Sequence, residues 1–383
     1  MRFSVDAHAI GRHQTGNEVY VRNLLRAFAA LDKKSDFVAY YSAHDAPGQI
    51  PERFLTRRVS SNPFVRLGVE LGQRVRRDKP DLLHVQYTSP LACSAPVVAT
   101  VHDVSFLERP EFFPPSQAMQ LRWTVKRTVR RAAWVITVSE FSRRSIENAY
   151  GPLNGRISVI PNGGSTLFRP VAREVASAWV SQHMNVRSPF VLTVGDLQPR
   201  KNQLGLIHAF ADMIRAHPEL PHHLVLAGKD TWHSGEVHQA AKASGAGDRI
   251  RFTGLVTDDE LRHLYGACEL FVFPSFYEGF GLPILEAMAC GRAVACSNTS
   301  AMPEVANAAG ILFDPHSKEE IVRAMLDLLL NPELRLRMER LGLKRAAQFT
   351  WERTARQTLD VYYQVAGARR RAANVKKAKT LPV

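Results

Sequence analysis

Two glutamates separated by seven residues, Glu278 and Glu286, flank a glycine-bearing turn in the stretch FPSFYEGFGLPILEAMACG, residues 273–291. Carboxylates accept hydrogen bonds, and the paired hydroxyls of a sugar donate them. Between the two acids stand Gly279, Phe280, Gly281, Leu282 and Pro283, and Gly291 closes the run. Proline near the first helical position and glycine just past the last predict a short helix over 282–290. Its first turn offers free backbone N–H groups and the positive end of a dipole, which suit an anion. The chemistry implied is a ligand carrying both phosphate and sugar hydroxyls. The same residues also read as plain loop geometry with Glu286 as an N-terminal helix charge, so the turn alone does not decide.

A second group of reactive side chains follows an apolar strand over Phe190–Val194, in Gly195-Asp196-Leu197-Gln198-Pro199-Arg200-Lys201-Asn202. Gly195 permits close approach of a ligand. Arg200 and Lys201 stand beyond the strand's carboxyl end and just before a helix. One supplies a planar fork and the other a point charge, a combination suited to a diphosphate. An isolated Arg-Lys pair is ordinarily solvated surface; an expected place on one rim with the 279–286 turn argues against that incidental reading. In the first half, Gly16 lies in the first strand-to-helix loop and His102-Asp103 closes a later strand, the places where open α/β sheets hold ligands. Taken alone, His102 reads first as a satisfied strand-end histidine.

The elements that must position these residues are short apolar strands alternating with helical segments. The first series is Phe3–Val5, Phe37–Tyr41, Leu82–Val85, Val97–His102, Trp134–Val138 and Ile157–Ile160. The second is Phe190–Val194, His223–Ala227, Ile250–Thr253, Leu270–Phe273, Ala293–Cys296 and Ile311–Phe313. Each series predicts a parallel sheet covered on both faces. A helix over 18–30 is entered through Gln14-Thr15-Gly16-Asn17, with Asn17 as its N-cap. Residues 165–188 carry few strand signals and read as the crossing between domains. Late helices begin near Ser317, Glu333 and Trp351.

The chain of 383 residues is too long for one ordinary core. Its 45% hydrophobic and 22% charged content is globular. No run reaches the ~18 apolar residues of a membrane span. The opening MRFSVDAHAI lacks a signal-peptide pattern, and Cys93, Cys268, Cys290 and Cys296 have no C-x-x-C spacing, so a cytoplasmic protein with reduced core cysteines is expected. The net charge of +14 points to an anionic partner. Two segments concentrate it. In residues 118–133, AMQLRWTVKRTVRRAA, an apolar stripe of Leu121, Val125 and Val129 is surrounded by Arg122, Lys126, Arg127, Arg130 and Arg131, a pattern that fits a membrane-surface helix and equally a solvated face over an ordinary core stripe. The tail 368–383 is basic without an acid and reads as disordered.

Taken in order, the Thr15-Gly16 loop, ATVHDVSFLERPEFFPP (99–115), ITVSEFS (136–142), VIPNG (159–163), VGDLQPRKN (194–202), EGFGLPILE (278–286), Pro303-Glu304-Val305 and Trp351 resemble the retaining glycosyltransferases of family 4. The resemblance spans nearly the whole chain, and the paired-glutamate motif is its most specific element. It implies an α/β architecture of GT-B type: two Rossmann-like domains whose parallel sheets face each other across a cleft. The expected boundaries are 1–170 with a returning helix over 352–367, 171–351 for the sugar-nucleotide domain, and the tail beyond.

The resemblance also implies roles. Glu278 would contact hydroxyls of the donor sugar beside the backbone amides of Phe280 and Gly281. Glu286 would accept the ribose hydroxyls, and Arg200 and Lys201 would hold the diphosphate. Gly16 would approach that diphosphate from the other domain, and His102 would lie against the transferred sugar. No cofactor or metal is expected: the chain lacks an Asp-x-Asp motif and zinc spacing. HDVSFLERPEFFPP resembles bacterial members that transfer mannose from GDP-mannose in O-antigen or other polysaccharide assembly. The partners implied are a nucleotide sugar, a glycan or polyprenyl-linked acceptor and an anionic membrane surface at the inner face of the cell membrane, with no nucleic acid. A sugar-nucleotide epimerase of the same architecture, or a non-catalytic protein binding anionic lipid or nucleic acid, is the competing class. The sequence holds no ring-proton acid/base motif and no nucleic-acid module.

Overall fold

Alternation along single strands explains why each sheet is covered twice. In a computed structural model that describes residues 1–12 and 15–379, Leu82 packs into one apolar cluster and Leu83 and Val85 into another. Successive side chains point to opposite faces, so a strand apolar throughout needs a layer on each side. The chain divides into two compact units, residues 1–163 with 350–383, and residues 164–349.

Among the described residues the first unit carries seven parallel strands: β1 (Arg2–Asp6), β2 (Asp36–Tyr41), β3 (Phe54–Arg58), β4 (Leu82–Gln86), β5 (Val97–Thr100), β6 (Trp134–Thr137) and β7 (Ile157–Val159), in the order β3-β2-β1-β4-β5-β6-β7. One face is covered by the first helix (Thr15–Leu31) and the final helix (Trp351–Lys379). Trp351, Ala355, Leu359, Tyr362, Val365 and Ala366 are buried there, a helical spacing that lays one stripe onto the sheet. The other face is covered by the helices Leu71–Asp78 and Pro115–Arg131, through Leu71, Val75, Val125 and Val129. The final helix therefore makes the unit discontinuous in sequence. At the crossing point Gly163 leaves no room for a side chain, since a Cβ there would lie 2.2 Å from the Trp351 nitrogen.

The second unit carries β8 (Phe190–Val194), β9 (His223–Ala227), β10 (Ile250–Gly254), β11 (Leu270–Phe273), β12 (Ala293–Ser297) and β13 (Ile311–Phe313), all parallel in the order β10-β9-β8-β11-β12-β13. The two central strands, β8 and β11, carry at their carboxyl ends the two motifs singled out above.

Several expectations change. The first helix begins at Thr15, so Asn17 lies inside it rather than capping it, and Gln14 falls outside the described residues. Strand β3 escapes the apolar pattern because only Phe54 is buried on a basic edge strand, FLTRR. Residues 165–188 hold a helix, Arg173–Met184, and belong to the second unit, whose break falls at 163/164 instead of 170. The tail read as disordered continues the final helix to Lys379; residues 380–383 lie outside the described residues. Two of its basic residues have partners: Arg369 donates to the carbonyls of Pro80 and Ser94, and Arg370 to both carboxylate oxygens of Asp81 at 3.1 and 3.2 Å. Composition alone misses this, because the acceptors come from the loops on either side of β4, 275–289 positions away.

Candidate functional site

At the end of β8 the backbone passes through Gly195 at φ +150, a region that favours glycine. A Cβ on Gly195 would come within 3.2 Å of Lys201 Cε, so this glycine leaves room for the lysine stem to lie across it. Pro199–Lys201 form a single 3-10 turn, and Asn202, at φ +53, caps the following helix Gln203–Ala216. The Asn202 side chain accepts from the Gly205 nitrogen and donates to the Pro315 carbonyl at 2.9 Å.

The partner motif leaves β11 through Pro274 and enters the helix Leu282–Ala289 at Gly281, whose φ of +105 again suits glycine. Main-chain and side-chain contacts join the two loops. The Phe276 nitrogen donates to the Arg200 carbonyl at 2.9 Å. Arg200 Nη1 donates to the Tyr277 carbonyl and to Glu278 Oε2, both at 2.7 Å. Lys201 Nζ donates to Glu278 Oε1, also at 2.7 Å, and sits 5.1 Å from the centre of the Phe273 ring. Glu278 thus holds both cations at once, and its own nitrogen donates to Ser300 Oγ.

Burial acts to raise the Glu278 carboxyl, but the two cations and their hydrogen bonds outweigh it and bring it down to about 2. Burial dominates at Lys201, whose ammonium is held below its ordinary value in spite of Glu278. The three groups carry a net charge of about +1 in a site largely shielded from water, a field ready for an anion that can compete for the cations.

Glu286 follows a different course. It is the fifth residue of its helix, and its side chain accepts a hydrogen bond from Tyr265 Oη at Oε2, 3.0 Å long. Burial, with a smaller push from Asp258, carries its carboxyl up to about 7 in spite of that bond. The two acids of one motif therefore differ by about five pH units, and near neutral pH Glu286 is divided between its two forms.

In the first unit His102 lies past the end of β5 and is 9% exposed. Its Nε2 meets Gln86 Oε1 at 2.9 Å, its ring edge meets Tyr20 with centroids 4.8 Å apart, and its carbonyl accepts from Ser142 Oγ. Desolvation lowers its pKa to about 4, so the imidazole is neutral at physiological pH. Gln86 Nε2 donates onward to the Asn17 carbonyl at 3.2 Å, next in sequence to exposed Gly16. Among the described residues nothing lies within 4 Å of a Cβ placed on Gly16, so packing does not demand glycine there.

Residues 15–166 match the family model Glycosyltransferase Family 4, and residues 180–345 match Glycosyl transferases group 1. The chain is 33% identical over 265 residues to the O-antigen chain mannosyltransferase B of Escherichia coli, covering 69% of each chain. The chain belongs to the family 4 glycosyltransferases. Solved structures agree on its GT-B fold. The sucrose-phosphate synthase of Thermosynechococcus elongatus aligns with a TM-score of 0.76 at 22% identity, covering 96% of this chain and 99% of that one. Anabaena HepE, solved with UDP and glucose, aligns at 0.74 and 21% identity, covering 95% and 99%.

In this glycosyltransferase the structure brings Arg200, Lys201 and Glu278 into direct contact, with Gly195 beneath the lysine and Gly279–Leu282 continuing from the glutamate. Glu286 stands further along the same helix. Gly16 and His102 belong to the first unit and are linked within it through Gln86 and Asn17. The sequence reading missed Gln86, Tyr265 and Ser300. A signal existed for Gln86, a polar residue at the carboxyl end of a buried strand; Tyr265 and Ser300 become partners only when a neighbouring helix and a neighbouring loop pack against the motif. Among the described residues no group of three or more His, Cys, Asp or Glu side chains is placed to hold a metal ion.

Proposed function

We propose that this glycosyltransferase moves a hexose, mannose from GDP-mannose, onto a glycan or polyprenyl-diphosphate-linked glycan with retention at the anomeric carbon. The observation that carries the reading is the Arg200–Lys201–Glu278 cluster beside the amino end of the 282–289 helix. Cleaving a sugar–phosphate bond builds positive charge on the anomeric carbon and negative charge on the departing diphosphate. Fixed cations and free helix N–H groups stabilise that departing charge without reorganising at the moment of reaction. Arg200 and Lys201 take the diphosphate, the carboxylate of Glu278 turns to the sugar hydroxyls, and Glu286 accepts the ribose hydroxyls. Front-face substitution lets the departing phosphate take the acceptor proton, so no dedicated base and no metal is needed. Mannose is favoured by the kinship to the O-antigen mannosyltransferase.

A thermal-shift panel of sugar nucleotides, followed by product analysis on the best binder, tests this. GDP-mannose is expected to give the largest shift and to yield GDP with an α-linked product when acceptor is present. An isomeric sugar nucleotide formed from donor alone would identify an epimerase instead.

The acceptor's polyprenyl anchor is expected to be met at an anionic membrane surface. The helix Pro115–Arg131 exposes Met119 and Trp123 beside Arg122, Lys126 and Arg130. The loop at Leu91 joins it to a second apolar segment: Arg127 donates to the Leu91 carbonyl, and the Leu91 nitrogen donates to the Leu67 carbonyl. That segment exposes Phe64 and Val69. Apolar side chains interleaved with cations match an anionic bilayer, whose headgroups take the cations while its acyl boundary takes the rings. No described helix is long and apolar enough to cross a membrane, so attachment would be peripheral.

A further inference from the structure

Gln86 has two hydrogen-bonding ends and both are committed. One end meets the main-chain carbonyl of Asn17 at 3.2 Å. A carbonyl only accepts, so the amide NH2 must face it, and a flipped amide would set two oxygens against each other. The carbonyl oxygen of Gln86 is therefore fixed on the His102 side, 2.9 Å from Nε2. An oxygen there requires a hydrogen on Nε2. In a neutral imidazole the remaining nitrogen, Nδ1, then carries the lone pair.

We propose that Gln86 is a positioning residue that locks neutral His102 in its Nε2–H form, so that Nδ1 accepts a hydrogen bond from a substrate hydroxyl. The second half rests on the sugar-transfer reading above; the proton on Nε2 stands on geometry, and the neutral ring on its burial. The surroundings keep the ring uncharged. Tyr20 meets it edge-on from the first helix, Tyr87 approaches to 5.6 Å between ring centroids, and neutral His84 is committed at Nδ1 to Tyr362 and at Nε2 to Thr100. The charge of neighbouring Asp103 favours the imidazolium, but desolvation outweighs it. An imidazolium would have two donors and suit an oxyanion. The locked neutral ring instead has one acceptor, which distinguishes a hydroxyl from a phosphate oxygen. That makes His102 a reader of sugar orientation and not an acid for the leaving group.

The test is histidine-labelled nitrogen NMR of the intact protein, with His102 assigned by loss of its signal in His102→Gln. The expected result is an Nε2–H tautomer that persists, unprotonated, from about pH 8 to about pH 5. An Nδ1–H tautomer, or protonation with an ordinary midpoint near ~6.5, overturns the lock. Gln86→Glu should move His102 titration upward by one unit or more, because a carboxylate now faces Nε2–H. An unmoved titration in that variant also counts against the lock. Gln86→Leu should raise KM for the sugar donor about tenfold while nucleoside diphosphate affinity stays as in wild type. Unchanged donor KM, with the tautomer altered, would overturn the hydroxyl contact and leave the lock standing.

Discussion

The hydroxyl of Tyr265 donates to Glu286 Oε2 at 3.0 Å, tying the second acid of the paired-glutamate motif to a neighbouring helix. Burial raises that acid to about 7. In the proposed ribose role Glu286 accepts from hydroxyl donors, which the ionised carboxylate does more strongly than the neutral acid, so donor binding should favour the ionised form and release a proton when it begins from the neutral one. Affinity for a sugar nucleotide should therefore rise as pH rises through about 7, by up to tenfold per unit below that point. A nucleotide sugar has no phosphate titrating in this range, unlike a free nucleoside diphosphate, and is the ligand to use in calorimetry. Glu286→Gln should flatten the profile; a profile unchanged in that variant assigns the titration elsewhere.

Tyr265→Phe removes the donor that lowers the Glu286 carboxyl. The midpoint should move further above 7, and donor affinity near neutral pH should fall by about 1.5–3 kcal/mol, the usual value for a hydrogen bond to a charged group. Isothermal titration at two pH values separates this from simple unfolding, because the loss should shrink at the higher pH.

Glu278→Gln leaves Arg200 and Lys201 shielded from water without their shared counter-charge. Removing one partner from a buried ion cluster costs about 3–5 kcal/mol, and thermal melts should show it. The sign follows from the depressed carboxyl. Its stabilisation is present above the ordinary value of 4.5 and is lost as pH falls toward about 2. Wild type should therefore lose its advantage over the variant only in strong acid. An equal gap between them at every pH would contradict the ionic account.

Removal of residues 368–383 takes away the Arg369 and Arg370 contacts to Pro80, Ser94 and Asp81. These contacts are largely exposed, so the loss should be about 1 kcal/mol, or about 2–4 °C in Tm. Vesicle flotation supplies the complementary measurement. Trp123→Ser with Phe64→Ser should weaken binding to anionic vesicles severalfold with little change in Tm, since both rings are exposed. Unchanged flotation would remove the membrane surface from the account.

Much of the site was legible because its residues are neighbours in sequence. Glu278, Gly281 and Glu286 lie on one turn and helix, and Arg200 and Lys201 follow one strand. The thirteen-strand pattern was read except for β3, where a polar edge strand needs no apolar alternation. What sequence could not supply was the third dimension. Glu278 was expected to face a sugar, and its clasp on both cations across 77 positions depends on β8 and β11 lying side by side. The raised carboxyl of Glu286 and the Tyr265 bond likewise depend on burial, which spacing does not report. The final helix outran its expected end because basic composition says nothing about acceptors brought from the loops flanking β4.

The central claim is that Arg200 and Lys201 stabilise a departing diphosphate in glycosyl transfer. The most direct measurement is the initial rate of nucleoside diphosphate release across a panel of sugar nucleotides with a glycan acceptor, wild type beside Lys201→Ala. The account predicts rapid release from one donor, with GDP-mannose the leading candidate, and a fall in kcat of about 100-fold in the variant, equivalent to about 3 kcal/mol. Release from no sugar nucleotide, or the same kcat in Lys201→Ala, would contradict it.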